Sequence, residues 1–356
     1  MEYIFKYETF ADVDIDDPFF RSLKEDYPDF ETWYRGKAQS RTGTYTLRNP
    51  DRSVGGFLYI KQHEHESIVL EGKTLPEKNR TKIGTFKIGE DNEGSRYGEG
   101  AMAIALWTWR DSEDEEIYVT VFPKQQSLIE LLVFYGFELA GTKPNEECVY
   151  LRSNKRINKN QPYVLYPFAP QGRNAGMLAI EPQYHDKLFP YGTLRHTNQN
   201  VERIPAGNGI KKIYIGFPFS EPAFKKGDMV FIYRKSVVDP IHKSVITSFC
   251  LVSDMFWVKR SGRALFSIDD YLKHVGNKSV FSAQELEDFY SKKENLLIFE
   301  LLYLGSFGEG NNVNCQTLKN EGYWAGNVHP YQIQFSPAQT TDILSLGRAN
   351  PTLILM

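Results

Sequence analysis

The residues with the clearest chemical purpose lie between positions 80 and 141. Residues 81–88 read as a strand, and residues 89–100 as a turn rich in glycine (Gly89, Gly94, Gly98, Gly100). An alanine-rich helix over 101–109 follows. A glycine-dense turn that opens a helix leaves backbone N–H groups at the positive end of the helix dipole, a site for a phosphate or pyrophosphate. Glycine lets the main chain approach the anion with no Cβ in the way. A Gly-x-Gly can also be an ordinary tight connection. Here it is framed by a strand before it, a helix after it, and a second strand–helix unit. That unit is a strand over 117–122 and a helix ending in Phe134-Tyr135-Gly136-Phe137.

Proton-transfer groups gather just upstream, in Gln62-His63-Glu64-His65-Glu66. Strand alternation puts Glu64 and Glu66 on one face and His63 and His65 on the other. Either pair could relay a proton through water, and the plainer reading is a solvated hairpin end. The run Asp111-Ser112-Glu113-Asp114-Glu115-Glu116 reads as a solvated turn, because a calcium loop needs interspersed glycine and alternating ligands. Cys148, Cys250 and Cys315 are far apart with no paired spacing. They point to no zinc site, a reducing compartment and a cytoplasmic location.

The glycine turn and its flanks resemble the GNAT superfamily of N-acetyltransferases, whose acyl-CoA loop reads Gln/Arg-x-x-Gly-x-Gly/Ala. The matching segment is Ser95-Arg96-Tyr97-Gly98-Glu99-Gly100, with Ser95 at the Gln/Arg place and Arg96 one position later. On the later helix Gln125 occupies the family's Asn place, and Gly136-Phe137 match. Leu132 stands where the family often has a thiolate-protonating tyrosine; Tyr135 and Tyr118 are the nearest alternatives. The resemblance implies acetyl-CoA as cofactor, lying in a gap where the strand before the loop splays from its neighbour. That strand would present Phe86, Lys87 and Ile88, with the Ile88 N–H polarising the acyl carbonyl. The implied cofactor-binding set is Phe86, Ile88, Ser95, Arg96, Tyr97, Gly98, Glu99, Gly100 and Gln125. The catalytic candidates are Glu64 and Glu66, from the cluster at 62–66, and Tyr135; by the resemblance Phe30, Trp33 and Tyr34 would border the acceptor.

The elements that must position these groups read as an α/β (α+β) domain over residues 1–152. Residues 2–10 suit an edge strand. Asp16-Asp17-Pro18 starts a helix that turns Phe19, Phe20, Leu23 and Tyr27 inward. Asp29 can cap a second helix over 30–37, and residues 42–47 and 55–61 pair as a hairpin across an Asn49-Pro50-Asp51 turn. Residues 153–162 are polar, basic and aperiodic, as in a linker.

Residues 163–356 read as short strands (163–168, 177–180, 212–216, 229–233, 245–253, 296–304, 332–335) with helices over 268–275 and 282–291. Such a pattern suits a mainly-β barrel. The segment Lys225-Lys226-Gly227-Asp228 followed by an apolar strand ending in Tyr233-Arg234 resembles PUA-like domains of the ASCH and EVE branches. The Gly-x-Lys-Thr and Glu-x-Arg motif of many ASCH domains is absent. The resemblance implies a cleft for nucleic acid, RNA rather than DNA, or for a modified base. Stacking and phosphate contacts would come from Trp257, Lys259, Arg260, Trp324, Lys225 and Lys226, with Arg263, Tyr323 and His196-Thr197-Asn198 close in sequence.

Charge supports two different halves. Residues 1–150 hold 18 Lys+Arg and 28 Asp+Glu (net −10), and the remainder 24 and 17 (net +7). A basic half suits a polyanion partner, or simply attraction between two domains of opposite sign. No apolar run approaches the roughly 20 residues that span a bilayer, so no membrane role is expected. Three functions fit. The first is an acetyltransferase guided by nucleic acid. The second is a protein or small-amine acetyltransferase whose second domain is structural or forms a homodimer. The third is a non-catalytic regulatory or toxin–antitoxin-type protein that binds nucleic acid.

Overall fold

The computed structural model describes residues 5–92, 94–192, 194, 204–325 and 328–355. They fall into two compact units, Glu2–Ile157 and Asn158–Met356. Ser153 ends the last strand of the first unit, Asn154–Arg156 forms a turn of 3-10 helix, and Pro162–Leu165 a turn of α-helix. The segment read as a linker is therefore locally ordered.

The first unit is a seven-stranded mixed sheet. Its strands are β1 (Lys6–Thr9), β2 (Gly43–Arg48), β3 (Val54–Leu70), β4 (Lys73–Ile88), β5 (Glu116–Val121), β6 (Glu138–Thr142) and β7 (Cys148–Ser153). They lie in the order β1-β2-β3-β4-β5-β7-β6. The helices are α1 (Arg21–Asp26), α2 (Phe30–Gln39), α3 (Tyr97–Ser112) and α4 (Gln126–Phe134). Asp17 caps the 3-10 turn Pro18–Phe20 that leads into α1. The side chain of Asp29 makes no capping bond to α2, contrary to expectation.

Aromatic packing joins α1 and α2 to the sheet. Phe10 meets Trp33, Tyr34, Phe57 and Tyr59 edge-on, with centroids 4.9–5.6 Å apart. Such edge-to-face contacts add to what burial alone contributes. The parallel pair β4 and β5 is joined by α3, which is buried along most of its length because its Ala-rich surface lets it sit close to the strands.

The central hairpin is longer than the sequence suggested, with β3 and β4 running 17 and 16 residues. Gly72, at φ +75°, makes the left-handed turn at its tip. The tip curls over the sheet, so Ile68 and Leu70 pack with Tyr118 and Val149.

The acidic run 111–116 is not a solvated turn. Asp114 and Glu116 are 5% and 7% exposed. Glu116 accepts from Arg80 Nε at 2.7 Å, and the same guanidinium donates to the carbonyls of Glu66 and Pro76 at 3.0 Å each. Polar groups sit inside because each finds a partner.

The second unit is a mixed α/β assembly around an eight-stranded sheet. Its strands are β8 (Ala169–Pro170), β9 (Ala175–Ile180), β10 (Lys211–Gly216), β11 (Met229–Arg234), β12 (Val245–Arg260), β13 (Arg263–Ala264), β14 (Leu296–Ser306), β15 (Val313–Asn314), β16 (Gln334–Phe335) and β17 (Ile354–Leu355). The main path is β10-β14-β12-β11-β9-β16, with β9 and β11 parallel and β8 pairing separately with β17. Residues 163–168 are not the expected strand: a helical turn opens the segment, since Pro162 suits a first helical position. The expected strand over 332–335 shrinks to Gln334–Phe335, and β12 runs on to Arg260. Helices Ile268–Val275 and Ala283–Lys292 start at side-chain caps from Ser267 and Ser282, the latter a full capping box with Glu285.

The buried Arg80–Glu116 pair yields the first prediction. Arg80→Met leaves the Glu116 carboxylate paired with Lys78, 3.0 Å away, and removes the donor from the Glu66 and Pro76 carbonyls, so it should cost about 1–3 kcal/mol, whereas adding Glu116→Leu should recover part of that. Urea denaturation of the four-member cycle checks it.

Candidate functional site

The parallel ladder between β4 and β5 has only three rungs: Thr81–Ile117, Lys82–Tyr118 and Ile83–Val119. Beyond them β4 continues to Ile88 and β5 to Val121 with no further rung between them, while β3 stays paired to β4 as far as Ile88. The cause lies at Gly84. The β3–β4 register shifts between Tyr59–Thr85 and Ile60–Ile83, so Gly84 is an extra residue in β4. A bulge bends its strand and raises the local twist. A Cβ at Gly84 would come within 2.8 Å of the Tyr59 ring, so glycine is required there. The ladder therefore ends, and the main chain of residues 84–88 presents an unladdered edge, a candidate cleft, on its β5 side.

Helix α3 starts beside that cleft. It begins at Tyr97, four residues earlier than the sequence suggested, so Gly98, Glu99 and Gly100 form its first turn rather than the loop before it. Gly94 and Arg96 take positive φ values of +74° and +59° and turn the chain into the helix. The first intrahelical bond runs from the Gly100 N–H to the Arg96 carbonyl at 3.2 Å, which leaves the Tyr97 and Gly98 N–H groups ahead of it at the positive helix end. A Cβ at Gly98 would meet only Leu131 Cδ2, at 3.8 Å, so space over this turn is open. Arg96 grips Glu99 through two bonds of 2.9 and 2.8 Å, which offsets the one negative charge of the turn. In a strand–helix–strand unit the helix begins at the end where the first strand stops, and ligands bind at that edge. The donors, the glycine clearance and the unladdered β4 edge fit the diphosphate and amide-rich arm of an acyl-CoA. Phe86 and Ile88, partly exposed, and Ser95 and Tyr97 flank the same path. Gln125 is exposed and its side chain makes no cap for α4.

The proton-transfer groups divide. His63 takes a positive φ of +54°, which breaks the alternation and separates the two histidines. His63 Nδ1 lies 2.8 Å from Asp114, whereas His65 Nδ1 lies 2.7 Å from Asn79. Burial opposes the charge on Asp114, but bonds from the His63 N–H, the Thr81 hydroxyl and the His63 ring outweigh it and hold its carboxyl below the ordinary value. Glu64 pairs with Lys61. Glu66 accepts from the Tyr118 hydroxyl and lies 2.9 Å from Lys82 Nζ. Lys82 and Tyr118 form a rung of the short ladder, which puts this trio next to the point where the strands part. Tyr135 is 1% exposed and Leu132 fully buried, so both belong to the core beneath α4.

Sequence reasoning missed how α1 is fastened. Lys87 Nζ donates to the Phe19 carbonyl at 2.5 Å and to Ser22 Oγ at 2.6 Å, tying the start of α1 to β4. At the other end Tyr27 donates to Glu147 at 3.1 Å, Thr120 of β5 donates to the same carboxylate at 3.1 Å, and Lys124 pairs with Asp26. The Tyr27 and Phe122 rings also pack at a tilt, with centroids 5.3 Å apart. Helix α1 thus bridges the two parted strands. Tyr27 and Glu147 are 120 positions apart, and no local pattern links them. Phe30 and Tyr34 are core residues, and Trp33 is only partly buried against them.

In the second unit the expected base-binding residues do not form one cluster. Trp257 donates to Glu221 at 3.2 Å, and Arg260 stacks on Trp257 at 5.0 Å while pairing with the same Glu221. Lys259 donates to the Tyr290 carbonyl, Lys226 pairs with Asp254, and Lys225 is exposed. Trp324 packs edge-on against Tyr233 and shares none of these partners; Tyr323 donates to Asp342. Residues 196–198 lie outside the described residues. Two titratable clusters went unnoticed in the sequence. Glu300, 5% exposed, gathers Lys211 at 2.7 Å, Tyr163 at 3.3 Å and His274. Fully buried His185 bridges Asp186 (2.8 Å) and Thr247 (2.7 Å), and Arg234 holds Asp186 bidentately at 2.7 and 2.8 Å. Burial pushes the His185 pKa down; burial opposes the charge on Asp186, yet Arg234 and His185 hold its pKa at about 2.

Among the described residues no group of three or more His, Cys, Asp or Glu side chains is placed to hold a metal ion, and no helix is long and apolar enough to cross a membrane. No family model and no curated protein matches the sequence. Solved structures that the chain resembles include an ASCH protein from Zymomonas mobilis (13% identity, 48% of this chain and 94% of that one, TM-score 0.32). Another is Ard1 from Thermoplasma volcanium (15%, 42% and 98%, TM-score 0.30). A third is a mutant AtaT toxin bound to the C-terminus of the antitoxin AtaR and acetyl-CoA (16%, 43% and 95%, TM-score 0.31). ASCH and GNAT structures, the two kinds suggested by the motifs, are thus both among them.

Two predictions follow from these geometries. Gly98→Glu puts a carboxylate in the first turn of α3, where the helix dipole favours it, so the thermal midpoint should not fall. Acetyl-CoA affinity by calorimetry should drop roughly tenfold to a hundredfold as an anion contact is replaced by repulsion. For His185, the unfolded chain binds a proton more readily than the folded one. Stability should therefore decline as pH falls below the ordinary histidine value of about 6.5, with a further loss from Asp186 between about 3.9 and about 2. The fall in urea midpoint between pH of about 7.5 and about 5 should be smaller in His185→Gln.

Proposed function

We propose that this chain is an acyl-CoA-dependent N-acetyltransferase whose second unit, a PUA-like domain, presents a nucleic acid, RNA rather than DNA. The observation that carries the reading is the parting of β4 from β5 next to the open first turn of α3. The turn would take the diphosphate, and the main chain of residues 84–88 would take the amide-bearing arm. An acyl thioester supplies an activated acetyl group; the chain's own part is to orient it, polarise its carbonyl through backbone N–H and manage the acceptor's proton. Glu66, coupled to Tyr118 and Lys82 beside the last rung, is the group we assign to proton transfer; Glu64 pairs with Lys61 instead. The basic balance of the second half and the exposed Lys225, with Lys226 and Arg260 on the same unit, support a polyanion partner.

One observation favours a second reading, a non-catalytic regulator with the same fold. Leu132 and Tyr135 are both buried, so no phenol reaches the cleft from α4. Labelled acetyl-CoA offered with total cellular RNA and protein separates the two. Transfer into RNA, with RNA affinity falling steeply as salt rises, is the expected result. Tight acetyl-CoA binding without transfer to any pool would favour the regulator, and transfer to protein alone would remove the nucleic acid from the proposal.

A further inference from the structure

Lys87 lies in the part of β4 that has no β5 partner, and its side chain turns toward α1. Its amine meets two neutral oxygens, the Phe19 carbonyl and Ser22 Oγ, and sits 4.7 Å from the centre of the Phe19 ring. Among the described residues no carboxylate comes within ion-pair distance. Burial lowers the pKa of the amine, and Glu90, Asp26 and Glu25 oppose this only in part. A lysine serving purely as a charged tether is built differently in this unit: Lys124 faces Asp26, and Lys82 faces Glu66. The two oxygen acceptors and the Phe19 ring face favour the ammonium form, but burial without a counter-ion outweighs them in direction, so the neutral, nucleophilic amine is more accessible here than on an exposed lysine.

We propose that Lys87 is an internal acyl acceptor, a modification site at which the chain acylates itself from a bound acyl-CoA. The inference rests on the acyl-CoA reading of the cleft. The deprotonated nitrogen forms a C–N bond to the thioester carbonyl carbon. The C–S bond breaks, and the thiolate leaves with that electron pair and takes up the proton shed by the nitrogen. The product is a neutral amide with a single N–H, so Lys87 can keep only one of its two bonds to the start of α1. Acylation would loosen the bridge that α1 makes across the parted strands and alter access to the cleft.

The test has two arms on the full chain. In the first, trace acetic anhydride is applied without cofactor across a pH series, and the labelling of each lysine is read by peptide mass spectrometry. Lys87 should become reactive at lower pH than exposed Lys124; a midpoint equal to or above that of Lys124 would overturn the proposal. In the second, the chain is incubated with acetyl-CoA while calorimetry measures binding. One acetyl group should appear, at Lys87, and be absent from Lys87→Arg and Lys87→Met. Binding with Lys87 unmodified, or label spread evenly over exposed lysines, overturns the proposal alone. Failure to bind acetyl-CoA removes the cleft assignment and the proposal with it.

Discussion

The first unit is governed by a single steric constraint at Gly84. Because the Tyr59 ring occupies the space where a Cβ would go, β4 accommodates an extra residue only as glycine. The bulge that results ends the β4–β5 ladder after three rungs, and the proposed cofactor site depends on that ending. It exposes main-chain donors and acceptors of β4, and it leaves a span that α1 must bridge. It also places the start of α3 beside an open edge rather than a closed sheet.

Bridging explains why so many polar groups sit on one face of this sheet. Lys87 ties α1 to one strand; Tyr27, Glu147 and Thr120 tie it to the other. Closer to the paired end, Lys82, Glu66 and Tyr118 form a compact polar group, and further back Arg80 and Glu116 are buried together. Charges in this region are matched pair by pair, as their burial requires. Lys87 stands apart because it is satisfied by neutral oxygens alone.

Much of this arrangement could be read from the sequence, and the failures have physical causes. Strand–helix–strand order, the glycine turn and the capped helices of the second unit were legible, since each rests on local chemistry: glycine dihedrals, a Ser–Glu capping box, apolar periodicity. The start of α3 was misjudged because two left-handed residues, Gly94 and Arg96, complete the turn early and let Gly98 and Gly100 enter the helix. The His63 bulge defeated a simple alternation argument in the same way. Asp114 and Glu116 looked like a solvated turn because their partners, His63, Thr81 and Arg80, are remote in sequence. Tyr27–Glu147 and Lys211–Glu300 were invisible for the same reason, since long-range pairing leaves no periodic trace. In the second unit the aromatic residues singled out have separate surroundings: Trp257 keeps its chain neighbour Arg260 and the remote Glu221, whereas Trp324 packs on Tyr233, a contact that no local pattern shows.

The central claim is that the β4 edge at residues 84–88 and the first turn of α3 hold an acyl-CoA. Amide hydrogen–deuterium exchange, with and without acetyl-CoA, addresses it most directly. The account predicts slowed exchange at Phe86, Ile88, Tyr97 and Gly98 on adding the cofactor, with β7 unchanged. Identical exchange at all four amides under conditions where acetyl-CoA is shown to bind would contradict it.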